Sequence, residues 1–262
     1  MPETAIGFFP DVGGSFFLSR LDGSLGAYLG LTGHRLKGEE VLLAGIATHY
    51  VPSARLNSLL NRLSELDTEE IDVINAAIEE FVGDPSLKTW QNWRLGGEVG
   101  QAVDRCFSKG TLEEIVEALE KEGTEWSRET LDTLKKMSPT SLKVSLRQIQ
   151  IGRRKTFAEC FQLERWLAKR LLEIKTDFHE GVKAKLVEKR EPAWLPSWDD
   201  KGNITPALLD SFFFDEKKMR ADKDHPELSN RTTFYEYPHR TLSGLPTRMD
   251  ITNVVYGNAD IS

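Results

Sequence analysis

From residue 53 to about 190 the chain reads almost without interruption at the helical period, and this one feature excludes a fold built mainly on a sheet of its own. Leu56, Leu59, Leu60 and Leu63 share one helix face, Ile71, Ile74, Ile78 and Phe81 a second, and Leu112, Ile115, Val116 and Leu119 a third. Ser138 followed by Pro139 opens another helix, with serine as N-cap and proline at the first helical position; Leu142, Leu146 and Ile149 form its apolar side. Phe157, Cys160, Phe161, Leu167, Ala168 and Leu171 mark a long helix whose other side carries Glu159, Glu164, Arg165 and Lys169. Asp177 with Glu180 three residues on reads as a capping-box start for a helix from Gly181 to Lys189, ended by Glu191-Pro192. Against all this stands one good strand candidate, Ile46 to Val51, closed by Pro52. More than half of the ordered residues are expected to be helical.

The ends of the chain differ from this middle. The first 55 residues hold nine of the twenty glycines, a density that serves tight turns and close backbone approach, since an interior helical glycine costs about 1 kcal/mol against alanine. Short apolar blocks between them, Phe16-Phe17-Leu18, Ala27-Tyr28-Leu29 and Val41-Leu42-Leu43, predict short helices joined by turns. The last 62 residues hold four of the eleven prolines and a mixed-charge run from Asp215 to His225, the pattern of a tail or lid docked by a few aromatics. Phe212-Phe213-Phe214 is expected to pack on the main body or on a partner, and Trp194 and Trp198, flanking Pro196, to anchor the tail. The pattern divides the chain into 1–52, 53–200 and 201–262.

Composition narrows the function. The formal net charge is −7, so no overall positive field exists to hold a phosphate backbone, and nucleic acid is not expected as a direct partner. The two cysteines, Cys106 and Cys160, fit neither a zinc-ligand spacing nor a disulfide framework and read as buried thiols. No stretch approaches the roughly 18 apolar residues of a membrane span, and the first residues lack the layout of a targeting peptide.

The chemistry concentrates at Met1 to Ser15. Glu3 and Asp11 are two carboxylates joined by apolar residues and a Pro-Asp-Val-Gly-Gly turn that folds the second back toward the first. Burial among Ile6, Phe8 and Phe9 disfavours their charged forms and tunes one for acid or base work, although two acids in a glycine-rich loop equally serve as a cap and a turn. His34 and His49 read as capping or surface residues, and Arg153-Arg154-Lys155 as a solvated helix end.

Met1-Pro2-Glu3-Thr4-Ala5-Ile6-Gly7-Phe8-Phe9-Pro10-Asp11-Val12-Gly13-Gly14, then Leu31-Thr32-Gly33-His34-Arg35-Leu36-Lys37-Gly38 and Ala44-Gly45-Ile46-Ala47-Thr48-His49, resemble the 3-hydroxyisobutyryl-CoA hydrolases of the crotonase (enoyl-CoA hydratase/isomerase) superfamily. Ser138 to Lys143 and Asp177 to Val182 continue the resemblance in the same order, to about residue 200. It implies an α/β crotonase-type spiral for the parent family, with this chain as its mostly α-helical C-terminal part: 1–52 a core remnant carrying the carboxylate motif, 53–200 the helical region, 201–262 a tail or lid.

By that resemblance Glu3 is the catalytic carboxylate, acting on a thioester as nucleophile or as base for water, and Asp11 contacts the hydroxyl end of the substrate. The implied reaction is hydrolysis of 3-hydroxyisobutyryl-CoA in valine catabolism, with CoA part of the substrate and no further cofactor or metal. Lys183, Lys185 and Lys189 fall where the family's C-terminal helix passes near CoA phosphates. The resemblance implies a mitochondrial location. It also places the glycine-rich oxyanion donors before the Met-Pro-Glu-Thr block, so the chain is expected to correspond to the C-terminal portion of a longer protein and to hydrolyse thioesters poorly alone. Two alternatives stay open: a structural small-subunit protein of a fungal mitochondrial ribosome, with the 201–262 tail as a protein-docking element, and an enoyl-CoA hydratase or isomerase. The second commonly uses a glutamate near the position of Asp11.

Overall fold

The computed structural model describes residues 1–213, apart from 174, 175, 201 and 203 and the side chains of 87, 89, 90 and 173. Helices take 64% of these residues and strands none, as the periodicity requires. In order they are α1 (Gly14–Phe17), α2 (Leu25–Thr32), α3 (Glu39–Leu43), α4 (Leu56–Ser64), α5 (Ile71–Glu79), α6 (Leu87–Asn92), α7 (Gly97–Phe107), α8 (Leu112–Glu122), α9 (Glu125–Leu134), α10 (Pro139–Gly152), α11 (Phe157–Glu173), α12 (Asp177–Gly181) and α13 (Pro206–Phe213). A 3-10 turn, Glu3–Ile6, precedes them, and a π-helix, Val182–Glu188, continues α12.

They form two compact units that cut across the boundary expected at residue 52: among the described residues Met1–Arg35 joins those from Leu95 to Phe213, and Leu36–Arg94 stands as the other. The glycine-rich start belongs with the late helices because its glycines permit backbone contact with them. A side chain on Gly7 would strike the Asp177 backbone, and from the side of the late helices one on Gly152 would strike the Ser15 carbonyl.

In the first unit α2 is buried along its whole length, among α7, α9 and α10. Three of the following helices have a side-chain start signal. Thr111 and Glu114 close a capping box on α8, Thr124 caps α9, and Ser138 caps α10 with Pro139 behind it, the last of these as the sequence foretells. Phe8, Phe9, Val144, Leu163, Leu167, Leu171, Phe212 and Phe213 make one buried cluster, so α13 is held on α10 and α11 by its phenylalanines, each worth about 2–3 kcal/mol of burial. The Trp166 indole donates to the Phe212 carbonyl at 2.8 Å and fixes the register. Trp194 and Trp198 donate to the carbonyls of Lys136 and Met137 and fasten the segment around Pro196 to the residues after α9, while the tail beyond residue 213 that they are expected to anchor lies outside the described residues. Phe214 and the run from Asp215 to His225 lie outside the described residues, as does the tail beyond them as a docking element for a partner.

Two sequence expectations are corrected here. Asp177 and Glu180 do not form a capping box. Thr176 caps α12, the Asp177 carboxylate instead accepts from the Ser138 hydroxyl (2.6 Å) and the Leu195 amide (2.8 Å), and Glu180 pairs with Arg190. Ile46 to Val51 is not a strand, because the amides of Ile46 and Ala47 turn back to the Val41 carbonyl and close the end of α3.

In the second unit α4 pairs with α5, with Leu59, Leu63, Ile74 and Ile78 partly covered, Ala77 buried, and Leu56, Leu60 and Ile71 exposed. His49 sits between the Thr48 hydroxyl (2.8 Å) and the Glu79 carboxylate (2.9 Å), clasping the loop to α5.

Candidate functional site

Glu3 lies in the 3-10 turn that opens the chain, and the turn is held on three sides. The buried Thr4 hydroxyl donates to the Leu31 carbonyl at 3.1 Å, and the Thr4 carbonyl accepts the Ser138 amide at 3.2 Å. The left-handed Gly7 (φ 74°) ends the turn, and its α-carbon lies so close to the Asp177 backbone that any side chain would collide. Gly181 likewise meets the Ile6 carbonyl. The start of α10 and the backbone of α12 therefore set where Glu3 sits.

The segment from Phe8 to Ser15 is then stapled along α10 and α11. The Ser141 hydroxyl donates to the Phe8 carbonyl, and the Gln148 amide to the Pro10 carbonyl at 2.6 Å. Asp11 follows, and its carbonyl accepts the Gly14 amide at 2.8 Å. Val12 (φ 48°) and Gly13 (φ 89°) are both left-handed, which costs a β-branched residue roughly 1–2 kcal/mol, and Val12 is 78% exposed.

Asp11 does not cap α1, although its place before the helix suggests it. The cap comes from Glu164 on α11, only 5% exposed: its Oε2 accepts the Gly13 amide and its Oε1 the Ser15 amide, each at 2.8 Å, and the Ser15 hydroxyl binds Oε1 as well. A carboxylate at a helix N-terminus is favoured wherever in the chain it originates.

The electrostatics tie the three acids together. Burial pushes the Glu3 carboxyl above its ordinary range; a backbone hydrogen bond and the chain's amino group oppose this, and the charge of Asp11 adds to it. Its Oε2 is buried and has no hydrogen-bond partner among the described residues. Glu164 is also raised by burial, held back in part by its donors from Ser15 and Gly13, and raised further by Asp11. The charge of Asp11 thus reaches a half-buried carboxyl with a free acceptor and a buried one that is fully employed.

Sequence reasoning missed the frame. Glu164 reads as a solvated residue opposite the apolar face of its helix, Ser138 as an N-cap only, and Ser141, Ser145 and Gln148 carry no reading of their own. All are buried. The signal lies in their type: at positions i, i+3, i+7 and i+10 the residues are uncharged, whereas a solvated face carries Lys, Arg or Glu. Arg153 and Arg154 are exposed at the end of α10, and the ammonium groups of Lys183 and Lys185 pair with Glu188 and Glu191. Among the described residues no group of His, Cys, Asp and Glu side chains is arranged to hold a metal.

A helical frame whose buried polar stripe seats a Glu-and-Asp loop is matched over residues 1–213 by the enoyl-CoA hydratase/isomerase family, and the chain belongs to that family. Its fold agrees with a carnitinyl-CoA dehydratase from Mycobacterium thermoresistibile (TM-score 0.68, 27% identity, 82% of this chain and 58% of that one). An enoyl-CoA hydratase from Rhodobacter sphaeroides matches with a TM-score of 0.65 at 29% identity, over 84% of this chain and 60% of that one. In sequence it is 44% identical to the mitochondrial 3-hydroxyisobutyryl-CoA hydrolase of Danio rerio, over 84% of this chain and 57% of that protein. Identity to the mitochondrial 3-hydroxyisobutyryl-CoA hydrolase of Homo sapiens is 42%, over 81% and 54%. The small ribosomal subunit protein mS47 of Neurospora crassa is 40% identical over 97% of this chain and 52% of that protein. The chain spans about half the length of the curated relatives it matches.

Proposed function

We propose that this chain supplies the carboxylate half of a mitochondrial acyl-CoA thioesterase site that hydrolyses 3-hydroxyisobutyryl-CoA, with Glu3 and Asp11 as its site residues. The observation that carries the reading is the Glu3 carboxyl, raised by burial, with one buried oxygen unengaged and the Asp11 charge beside it. A carboxylate with a raised proton affinity is a stronger base at neutral pH than a solvated one. Acting on water, Glu3 takes one proton as the water oxygen bonds to the thioester carbonyl carbon; the carbon–sulfur bond breaks, and the leaving CoA thiolate takes the proton back. Asp11, at the mouth of the left-handed turn, accepts the substrate hydroxyl. An aspartate there, in place of the second glutamate common in hydratases, favours hydrolysis over hydration.

The test is CoA release from 3-hydroxyisobutyryl-CoA, followed with a thiol reagent, by residues 1–262 and by a chimera carrying the upstream half of the Danio rerio hydrolase before Met1. Release by the chimera that Glu3→Gln abolishes and Asp11→Asn cuts at least tenfold supports the assignment. Hydration of crotonyl-CoA without CoA release points to the hydratase reading.

A second reading has one observation in its favour. The Neurospora crassa ribosomal relative matches 97% of this chain, whereas the animal hydrolases match 81–84%. On this reading the chain is a structural component of a mitochondrial small ribosomal subunit. Co-sedimentation of the tagged protein with that subunit after a high-salt wash, and no CoA release by the chimera, decides for it.

A further inference from the structure

We infer that Glu164 is a positioning residue for Asp11: its buried carboxylate, by gripping the amides of Gly13 and Ser15, holds the left-handed Val12–Gly13 turn and so aims the Asp11 side chain toward Glu3. Three facts converge on it. Val12 occupies a left-handed backbone conformation that a β-branched residue keeps only where the surroundings enforce it, and Val12 itself, largely in solvent, contributes little packing to do so. The groups on the far side of the turn converge on the one carboxylate: the Gly13 and Ser15 amides donate to it, as does the Ser15 hydroxyl, which also lies 3.4 Å from the Cys160 carbonyl. On the near side the Pro10 carbonyl is pinned by Gln148. Asp11 is thus suspended between two fixed points, and Glu164 is the only one of the two that carries charge.

The inference rests on the reading of Asp11 as a site residue, and the experiment separates the two. It uses the Glu3 carboxyl as a gauge of where Asp11 stands, because the Asp11 charge adds to the burial that raises that carboxyl, against a backbone hydrogen bond and the amino terminus. The side-chain carboxyl of Glu3 is titrated by carbon-13 NMR in residues 1–262, in Asp11→Asn, in Glu164→Gln and in Ser15→Ala, and amide exchange is followed at Gly13 and Ser15. Expected are a downward displacement of the Glu3 midpoint in Asp11→Asn, a displacement in the same direction in Glu164→Gln, and exchange at Gly13 and Ser15 at least tenfold faster in the latter. Ser15→Ala, which removes one donor and leaves the carboxylate, gives a smaller displacement of the same sign and decides the matter should Glu164→Gln fail to fold.

If Asp11→Asn moves the Glu3 midpoint and neither Glu164→Gln nor Ser15→Ala does, Glu164 only caps a helix and the inference is overturned. If Asp11→Asn itself leaves the Glu3 midpoint in place, Asp11 is not aimed at Glu3 and the inference is equally overturned. Whether Asp11 serves hydrolysis is decided by CoA release, so either conclusion can fail without the other.

Discussion

The side-chain amide of Gln148 reaches the Pro10 carbonyl at 2.6 Å, joining the middle of α10 to the residue directly before Asp11. Both partners are buried, so replacing the donor strands the carbonyl away from water. Gln148→Met, similar in size but without a donor, is expected to lower stability by about 1–2 kcal/mol, the stranded carbonyl outweighing the removal of an amide oxygen that has no partner among the described residues. One turn earlier, Ser145 is buried with a hydroxyl that has no partner among the described residues. Ser145→Ala is therefore expected to change stability by less than about 1 kcal/mol in either direction. Urea unfolding of the two variants checks the contrast; equal losses would show that the stripe acts through packing rather than through its hydrogen bonds.

Gly181 faces the Ile6 carbonyl, and a methyl group cannot fit between them. In an exposed helix Gly→Ala stabilises by about 1 kcal/mol. Here Gly181→Ala is expected to destabilise by about 1–3 kcal/mol and to displace the turn that carries Glu3, which a changed carbon-13 shift of the Glu3 carboxyl detects.

How far this site could be read from the sequence depends on which residues are asked about. The Glu3 and Asp11 block stands in the chain as a contiguous string, and Ser138-Pro139 announces its helix through local chemistry alone. Ile46 to Val51 misleads because β-propensity says nothing of a partner, and the backbone donors there are taken by Val41. Asp177 and Glu180 mislead because their spacing fits a local motif while both carboxylates have non-local partners, at Ser138 and Leu195 for the one and at Arg190 and Ala193 for the other. Glu164 is the hardest case: the amides it holds lie some 150 residues earlier in the chain. A carboxylate that caps a helix so remote in sequence leaves no spacing to recognise.

Asp177 gives the pH prediction. Burial raises its carboxyl above the ordinary value of 3.8, against the pull of the Leu195 amide and the Ser138 hydroxyl and with the help of the nearby Glu180 charge. A carboxyl raised in the folded state binds its proton more tightly there than in the unfolded chain. Its contribution to stability is complete below the unfolded value and is lost as pH rises through the folded one. The stability of the wild type relative to Asp177→Asn is accordingly expected to fall as pH rises above about 4, measured by urea unfolding at each pH. A margin that grows with pH would show that the hydrogen bonds to the ionised form outweigh the burial.

The last prediction concerns what Glu3 can achieve without help. Thioester hydrolysis develops negative charge on the carbonyl oxygen, and each preorganised donor to it is worth about 3 kcal/mol. In the resemblance that identifies the Met-Pro-Glu-Thr block, those donors belong to glycine-rich segments upstream of it, and the chain spans about half the length of its curated relatives. If residues 1–262 do not themselves supply two such donors, they should be slower than the chimera by roughly four powers of ten. A substrate not fixed near Glu3 widens the gap, since misplacement by about 1 Å can cost roughly a hundredfold. Both proteins are assayed with 3-hydroxyisobutyryl-CoA at saturation, and Glu3→Gln is carried as the control in each. Equal rates in the two, both abolished by Glu3→Gln, would mean that residues 1–262 find their oxyanion donors within themselves.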